Sequence, residues 1–237
     1  MNTTDWDAIA RRYSIPSGIA YLNNGSFGPV PTAAIEASVA LLRDLESNPQ
    51  EYLAAYRERT PGVKASLGTF LGMRAEDFVF VTNVTVAMNM IARGLRSLAP
   101  GDEILLTDQE YGAVDKTWQF VAAKRGASIA RAPLPAPART PGELYDAVVS
   151  AITPRTRIIS ISHITSPTGV ILPVRAVCAE ARRRGVLTAV DGAHAPGMIP
   201  LDIESFGADF YAGNCHKWLG APKGVGFLWV SPQAQSL

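Results

Sequence analysis

The sequence has few cysteines and almost no excess of basic over acidic residues. It has two cysteines, Cys178 and Cys215, in 237 residues. Two thiols on different predicted elements are typical of unpaired small hydrophobic residues, so we expect no disulfide framework. The net charge is +1, and the one basic run, residues 182–184, is typical of the solvated end of a helix. Nucleic acid is therefore not an expected partner, and no metal site is predicted.

Long apolar runs are also missing, because no hydrophobic stretch reaches the length that a bilayer requires. The 47% hydrophobic and 18% charged residues are typical of a soluble globular protein, and the length suits one large domain or one domain with an appendage. Residues 1–7 are polar and acidic, where a signal peptide is basic and then apolar. We therefore expect a cytoplasmic protein that does not contact a membrane.

What the sequence does contain is an alternation of strand and helix patterns. Short runs rich in valine and isoleucine predict buried strands at 78–81, 103–107, 158–161, 187–190 and 225–230. Amphipathic segments predict helices at 87–98, 112–124, 141–152 and 174–184. This order predicts an α/β fold with a mostly parallel sheet and helices on both faces. Ligands of such sheets bind at the carboxyl ends of the strands.

Two of these strand ends carry polar side chains. After strand 78–81, Asn83 and Thr85 begin a helix whose N-terminus could cradle a phosphate, although capping of the helix explains either residue equally well. Strand 187–190 ends at Asp191, with His194 close behind it. A carboxylate there could keep a ring nitrogen of pyridoxal phosphate (PLP) protonated. A helix cap and a structural histidine are the alternatives for these two residues.

A lysine with an unusual setting follows a short predicted strand at 209–212. Lys217 is flanked by Cys215, His216 and Trp218, and desolvation there would lower its pKa and favour imine chemistry. The other four lysines suit helices or a turn: Lys64, Lys116, Lys124 and Lys223. All three histidines also follow predicted strands, at positions 163, 194 and 216. We therefore expect them to converge with Asp191 and Lys217 in one site.

Five ordered motifs carry a resemblance that covers nearly the whole chain. They are YLNNGSFG at 21–28, DQEYGAV at 108–114, TSPT at 165–168, VDGAHAPG at 190–197 and GNCHKW at 213–218. With them the chain resembles the class V aminotransferase-fold PLP enzymes, and within these the isopenicillin N epimerase-like group. The resemblance implies the large domain of PLP fold type I, with PLP as cofactor.

The resemblance also implies a role for individual residues. Lys217 would form the Schiff base with PLP, and Asp191 would bind the pyridine nitrogen. His194 and Ser166 would lie beside the phenolic oxygen, and Tyr111 would stack on the ring. The remaining implied contacts are phosphate binding by Val84, Thr85, Asn214 and His216, and a substrate border at Asn24 and Gly25.

The resemblance further implies how the chain is organised. Residues 1–30 would form an N-terminal segment bordering the substrate, and residues 31–237 the PLP-binding large domain. Family members continue for about another domain beyond the position of Leu237, so the resemblance leads us to expect that the C-terminal small domain is absent from this sequence. The arginine that grips the substrate carboxylate belongs to that part, as does a phosphate contact from a second subunit. A homodimer is implied.

The implied reaction is epimerisation or racemisation of an amino acid at its α-carbon. Tyr111 or His194 would then donate a proton on the face opposite Lys217. A carbon–sulfur lyase or cysteine desulfurase, an aminotransferase, and a non-catalytic PLP-binding fragment are the alternatives, because one fold hosts many reactions. Cys215 could carry a persulfide in a desulfurase, but packing beneath the cofactor is the favoured interpretation, since buried cysteines are usually inert.

Overall fold

A seven-stranded sheet forms the centre of the computed structural model, which describes residues 4–237. Positions 1–3 of the predicted N-terminal segment, and of the acidic stretch 1–7, lie outside the described residues. The strands are β1 (Phe78–Val81), β2 (Glu103–Thr107), β3 (Ser128–Ala132), β4 (Thr156–Ser162), β5 (Leu187–Gly192), β6 (Phe210–Asn214) and β7 (Gly226–Val230). Their order is β1-β7-β6-β5-β4-β2-β3; β7 is antiparallel to both of its neighbours, β1 and β6, and the other neighbouring strands are parallel.

Helices cover both faces of this sheet. They are α1 (Trp6–Ala10), α2 (Thr32–Ser47), α3 (Pro49–Leu71), α4 (Val84–Gly94), α5 (Gly112–Arg125), α6 (Pro141–Ser150), α7 (Val174–Arg183) and α8 (Ile203–Phe206). One apolar core packs α4 and α5 against the sheet, and a second packs α6, α7 and α8 against the opposite face. The predicted α/β fold is confirmed.

The predicted elements are largely confirmed, with four helices and one strand missed. Gly126 and Gly185 follow α5 and α7 with φ near +68°, as expected of glycines that end helices. Strand β3 has a half-exposed, mixed pattern that the search for apolar runs overlooked. Helices α1, α2, α3 and α8 were also missed; α1 and α2 bury no residue and α3 buries only two, so their apolar stripes are weak.

Strand 78–81 was predicted to be buried, and this prediction was wrong. Strand β1 lies at the edge of the sheet, and Val79 and Phe80 are 50% and 38% exposed. An edge strand is covered on fewer sides than a central one, so its apolar run did not indicate full burial. Among residues 4–237 no helix is long and apolar enough to cross a membrane. The domain boundary between residues 30 and 31 stays a prediction.

Candidate active site

A cavity of about 330 Å³ opens at the carboxyl ends of β5 and β6, beside the N-termini of α4 and α5. This is the sheet edge at which the sequence placed the site. Nine of the eleven predicted site residues line it: Gly25, Val84, Thr85, Tyr111, Ser166, Asp191, Asn214, His216 and Lys217. Of the other two, His194 contacts Lys217, and Asn24 precedes Gly25.

Lys217 extends from the loop after β6 and is partly buried. Burial lowers the pKa of its ammonium, although the charge of Asp191 opposes this effect. Its Nζ lies 3.3 Å from His194 Nε2 and 6.0 Å from the centre of the Tyr111 ring. The partial desolvation expected from the sequence is therefore present, and it favours the neutral, nucleophilic amine.

Asp191 ends β5 with a buried carboxyl group that is 3% exposed. Its Oδ1 accepts a 2.9 Å hydrogen bond from the Ala193 N–H, and the hydrogen bonds among residues 4–237 include none to Oδ2. Burial raises the pKa of this carboxyl, while the Ala193 N–H and Lys217 lower it. The open oxygen can therefore accept from a cationic N–H that enters the cavity.

The N-terminus of α4 combines capping with a set of open donors. Asn83 caps the helix by accepting from the Val86 N–H at 2.9 Å, so the capping interpretation is right for this residue. The Val84 N–H donates to Asn214 Oδ1, also at 2.9 Å. Within residues 4–237, the Thr85 N–H and the amide nitrogen of Asn214 have no protein acceptor. These two donors and the Thr85 hydroxyl remain for an anion.

Three other predicted contacts, Tyr111, Ser166 and His216, reach the cavity from separate segments of the chain. Tyr111 precedes α5 and is 47% exposed. Ser166 lies in the turn after β4 and is exposed. His216 Nδ1 donates to the Val225 carbonyl at 3.0 Å, which leaves Nε2 as the ring nitrogen free to meet a ligand.

Part of the N-terminal segment closes over the lysine loop. The Gly28 N–H donates to the His216 carbonyl at 3.0 Å, and Lys223 Nζ donates to the Gly28 carbonyl. A Cβ at Gly28 would overlap the Lys217 carbonyl oxygen, so only glycine fits this approach. Nearby, Asn24 Oδ1 is buried with no hydrogen-bond partner among the described residues. An acceptor left in this state can receive a ligand donor.

The expectation that all three histidines converge was wrong for His163. Its Nδ1 lies 2.8 Å from the Tyr211 hydroxyl, and its ring packs edge-on against Phe206. Both partners belong to the core beneath α6, α7 and α8. Burial lowers the pKa of His163 to about 4. A strand end serves both faces of the sheet, and His163 lies on the face away from the cavity.

Glu110 and Trp218 were quoted in motifs, but no role was predicted for either. The Glu110 carboxylate accepts from the Thr107 and Ser162 hydroxyls at 2.6 and 2.8 Å, and burial raises its pKa to about 7. The Trp218 indole N–H donates to His194 Nδ1 at 3.2 Å. Their adjacency to Tyr111 and Lys217 in the sequence was the available signal.

Cys215 fits the packing interpretation. Its side chain is 2% exposed, and burial raises the pKa of its thiol to about 12. A persulfide carrier needs an accessible thiolate. The geometry therefore argues against that role.

Two known proteins are similar to this chain over at least 90% of its length. Isopenicillin N epimerase of Streptomyces clavuligerus is 41% identical over 236 residues, or 98% of this chain and 58% of that protein. A putative L-cysteine desulfhydrase of Oryza sativa subsp. japonica is 31% identical, covering 90% of this chain and 47% of that protein. The chain thus spans about half the length of these relatives.

A solved structure of a lysine-to-alanine mutant of C-DES, with glycine covalently linked to its PLP cofactor, aligns with a TM-score of 0.87 and 28% identity. The alignment covers 95% of this chain and 60% of that one. A complex between the same cystine C–S lyase and its product, cysteine persulfide, gives a TM-score of 0.84. The model of the class-V aminotransferase family matches residues 20–237. This chain belongs to the class V aminotransferase family.

Proposed function

We propose that this chain is the PLP-binding part of an enzyme that acts at the α-carbon of an amino acid, and that the reaction is epimerisation or racemisation. The cofactor of this family is pyridoxal 5'-phosphate. The observation that carries the proposal is the cavity that brings the partly desolvated amine of Lys217 together with the open carboxylate oxygen of Asp191. The 41% identity to isopenicillin N epimerases favours the reaction type.

The donor set fits the cofactor. Asp191 Oδ2 suits a protonated pyridine nitrogen, because a buried carboxylate with one open oxygen gains from a charge-assisted hydrogen bond. The Thr85 N–H, the Thr85 hydroxyl and the Asn214 amide suit the phosphate at the N-terminus of α4. Tyr111 supplies an aromatic face for the ring, and Lys217 supplies the amine for the covalent bond. The cavity volume lies in the range of small-molecule sites.

Bound PLP supplies an electron sink for the bond that breaks at the substrate α-carbon. Lys217, once its amine is free, removes the α-proton, and its lowered pKa keeps that amine unprotonated nearer neutral pH. Asp191 holds a proton on the ring nitrogen. The segment around Gly28 packs against the lysine loop and fixes its backbone.

Epimerisation requires a second proton donor on the face opposite the lysine. His194 Nε2 is in contact with Lys217 Nζ at 3.3 Å, so His194 is poorly placed for that task. Tyr111 lines the cavity and its ring lies 6.0 Å from the amine. We therefore assign the second proton transfer to Tyr111.

Carbon–sulfur lyase chemistry is the second candidate. It is supported by the 28% identity to the cystine lyase C-DES and the 31% identity to the desulfhydrase. The burial of Cys215 removes the persulfide-carrier version of that candidate. The predicted homodimer and cytoplasmic location stay predictions.

Cofactor attachment is tested by adding PLP to the purified chain and reducing with borohydride. We expect a yellow protein whose reduced adduct is found by peptide mass spectrometry on Lys217. Lys217→Ala should lose the adduct, and Lys124→Ala, a change at an exposed lysine of α5, should retain it. A well-folded chain that forms no adduct at Lys217 would contradict the proposal.

The reaction is tested by incubation of the loaded protein with a panel of amino acids in deuterium oxide. Exchange of the α-proton with loss of optical activity indicates an epimerase, and this is the expected result. Release of sulfide indicates a lyase, and formation of a keto acid indicates an aminotransferase. An adduct without any exchange indicates a non-catalytic PLP-binding protein.

A further inference from the structure

Trp218 follows the lysine directly and contacts the histidine that contacts that lysine. Its indole N–H donates to His194 Nδ1 at 3.2 Å, and His194 Nε2 lies 3.3 Å from Lys217 Nζ. Two successive contacts thus connect Trp218 to His194 and His194 to Lys217. The imidazole is therefore the group through which the indole N–H can act on the lysine amine.

The indole N–H of Trp218 determines which nitrogen of the His194 ring carries the proton. An indole N–H can only donate, so His194 Nδ1 must be the acceptor nitrogen. A neutral imidazole carries one proton, which must then be on Nε2. Burial lowers the pKa of His194 to about 4, so the ring is neutral at pH 7. The opposite tautomer would place two N–H groups against each other at Nδ1.

The Nε2–H then determines which form of Lys217 fits beside it. A neutral amine has a lone pair that accepts from Nε2–H, whereas an ammonium group has only donors. We propose that Trp218 is a positioning residue that fixes His194 in the Nε2–H tautomer and thereby holds Lys217 in its neutral, nucleophilic form.

Other groups face the amine and act on it in both directions. Asp191 favours the ammonium form through its charge, and the burial of Lys217 disfavours it. The Tyr111 ring lies at 6.0 Å, and the pKa of His216 is lowered chiefly by burial and, to a lesser extent, by the charge of Lys217. Asp191 and burial therefore have opposite effects on the pKa of Lys217. The hydrogen bond from His194 Nε2–H, which Trp218 fixes, adds a third effect that favours the neutral amine.

Gly25 of the N-terminal segment packs against the side chains of His194 and Trp218. A Cβ at Gly25 would lie 3.2 Å from His194 Cε1 and 3.8 Å from Trp218 Cζ2. The backbone at Gly25 therefore packs against both rings, and a larger residue there would require the histidine to shift. Gly25 therefore limits the movement of the histidine ring in addition to lining the cavity.

The tautomer is measured by nitrogen NMR on the chain labelled with ¹⁵N-histidine, without cofactor. Only three histidines are present, and the His194 signals are those that vanish in His194→Gln. We expect a protonated Nε2 and an unprotonated Nδ1 in the wild type. In Trp218→Phe, which keeps an aromatic ring but loses the donor, we expect the proton to move at least partly to Nδ1. A wild-type proton on Nδ1 would overturn the inference even if the variant failed to fold.

The lysine is measured by the pH dependence of its reductive methylation with formaldehyde, located on the Lys217 peptide. Trp218→Phe should raise its apparent pKa by about one unit, which means roughly tenfold slower labelling at a fixed pH below that pKa. His194→Gln should keep the lower pKa, because its amide oxygen accepts from Trp218 while its N–H donates to the amine. Unchanged labelling in Trp218→Phe would overturn the inference.

The matched control is Trp229→Phe, because the buried Trp229 indole N–H has no hydrogen-bond partner among the described residues. It should change neither measurement, and an equal change there would overturn the role of the Trp218 hydrogen bond. The inference rests on the proposed function for the importance of Lys217. Both measurements omit PLP, so their failure is distinguishable from a failure to form the cofactor adduct.

Discussion

Acidic side chains lie at both ends of the strands of the central sheet: where the strands begin, here called the amino edge, and where they end, the carboxyl edge. The two differ in the hydrogen bonds that these side chains accept from the chain. At the amino edge, Glu103 accepts from the Thr153 and Thr156 hydroxyls at 2.9 and 2.8 Å. Asp209 accepts from the N–H and hydroxyl of Thr188 at 2.7 and 3.1 Å. At the carboxyl edge, Asp191 has one backbone donor on one oxygen.

This difference separates structural carboxylates from a functional one. A buried acid whose donors all come from the chain is part of the fold, since its hydrogen bonds offset the loss of hydration. A buried acid with an open oxygen beside a cavity has lost hydration that no hydrogen bond from the chain replaces, and a ligand that donates to this oxygen can offset that loss. Burial alone would have put Glu103 and Asp191, which are 4% and 3% exposed, in the same class.

The largest expected effect tests that separation directly. Asp191→Asn should lower the rate of α-proton exchange by about 10²–10³, the usual cost of removing one preorganised electrostatic group. The free energy of unfolding without cofactor should stay level or rise, because a neutral amide costs less to bury than a carboxylate whose pKa is raised by burial. Exchange kinetics and urea unfolding measure the two quantities.

Asp209→Asn is the matched control at the opposite end of the same pair of strands. It should lower the free energy of unfolding by about 1–2 kcal/mol, because the two Thr188 hydrogen bonds to Asp209 Oδ2 lose their charged acceptor, while exchange in the folded protein stays near the wild-type rate. The reverse pattern, with exchange lost at Asp209 and retained at Asp191, would refute the assignment of the two edges.

The contrast between the edges also explains how much the sequence could predict. The alternation of strand and helix patterns made the fold predictable, and the resemblance of five motifs to a known family made the nine cavity residues predictable. The face of the sheet that His163 occupies was not, because it depends on packing against Phe206 and Tyr211, which are distant in sequence. The link from Trp218 to His194 spans 24 residues and depends on loop geometry.

Glu110 sharpens the comparison, because it lies at the carboxyl edge but is hydrogen-bonded by Thr107 and Ser162. Burial raises its pKa from an ordinary 4.5 to about 7. The folded state therefore holds this proton more tightly than the unfolded state does. The stabilisation is complete below pH 4.5 and is lost as the pH rises to about 7.

We expect this loss to be about 3 kcal/mol. In Glu110→Gln the difference in unfolding free energy from the wild type should change across that window and level off above it. Urea unfolding at pH 4.5, 6 and 8 measures the curve. A difference that is constant with pH would show that Glu110 titrates near its ordinary pKa.

The smallest expected effect concerns the histidine that lies away from the cavity. Tyr211→Phe removes the hydroxyl 2.8 Å from His163 Nδ1 and leaves that buried nitrogen unpaired, which should cost about 1–2 kcal/mol of unfolding free energy. The yield of the reduced PLP adduct on Lys217 should not change, because His163 and Tyr211 pack beneath the opposite face of the sheet. A loss of adduct in a folded Tyr211→Phe protein would mean that the two faces are coupled through Gly192, whose backbone packs against the Tyr211 ring.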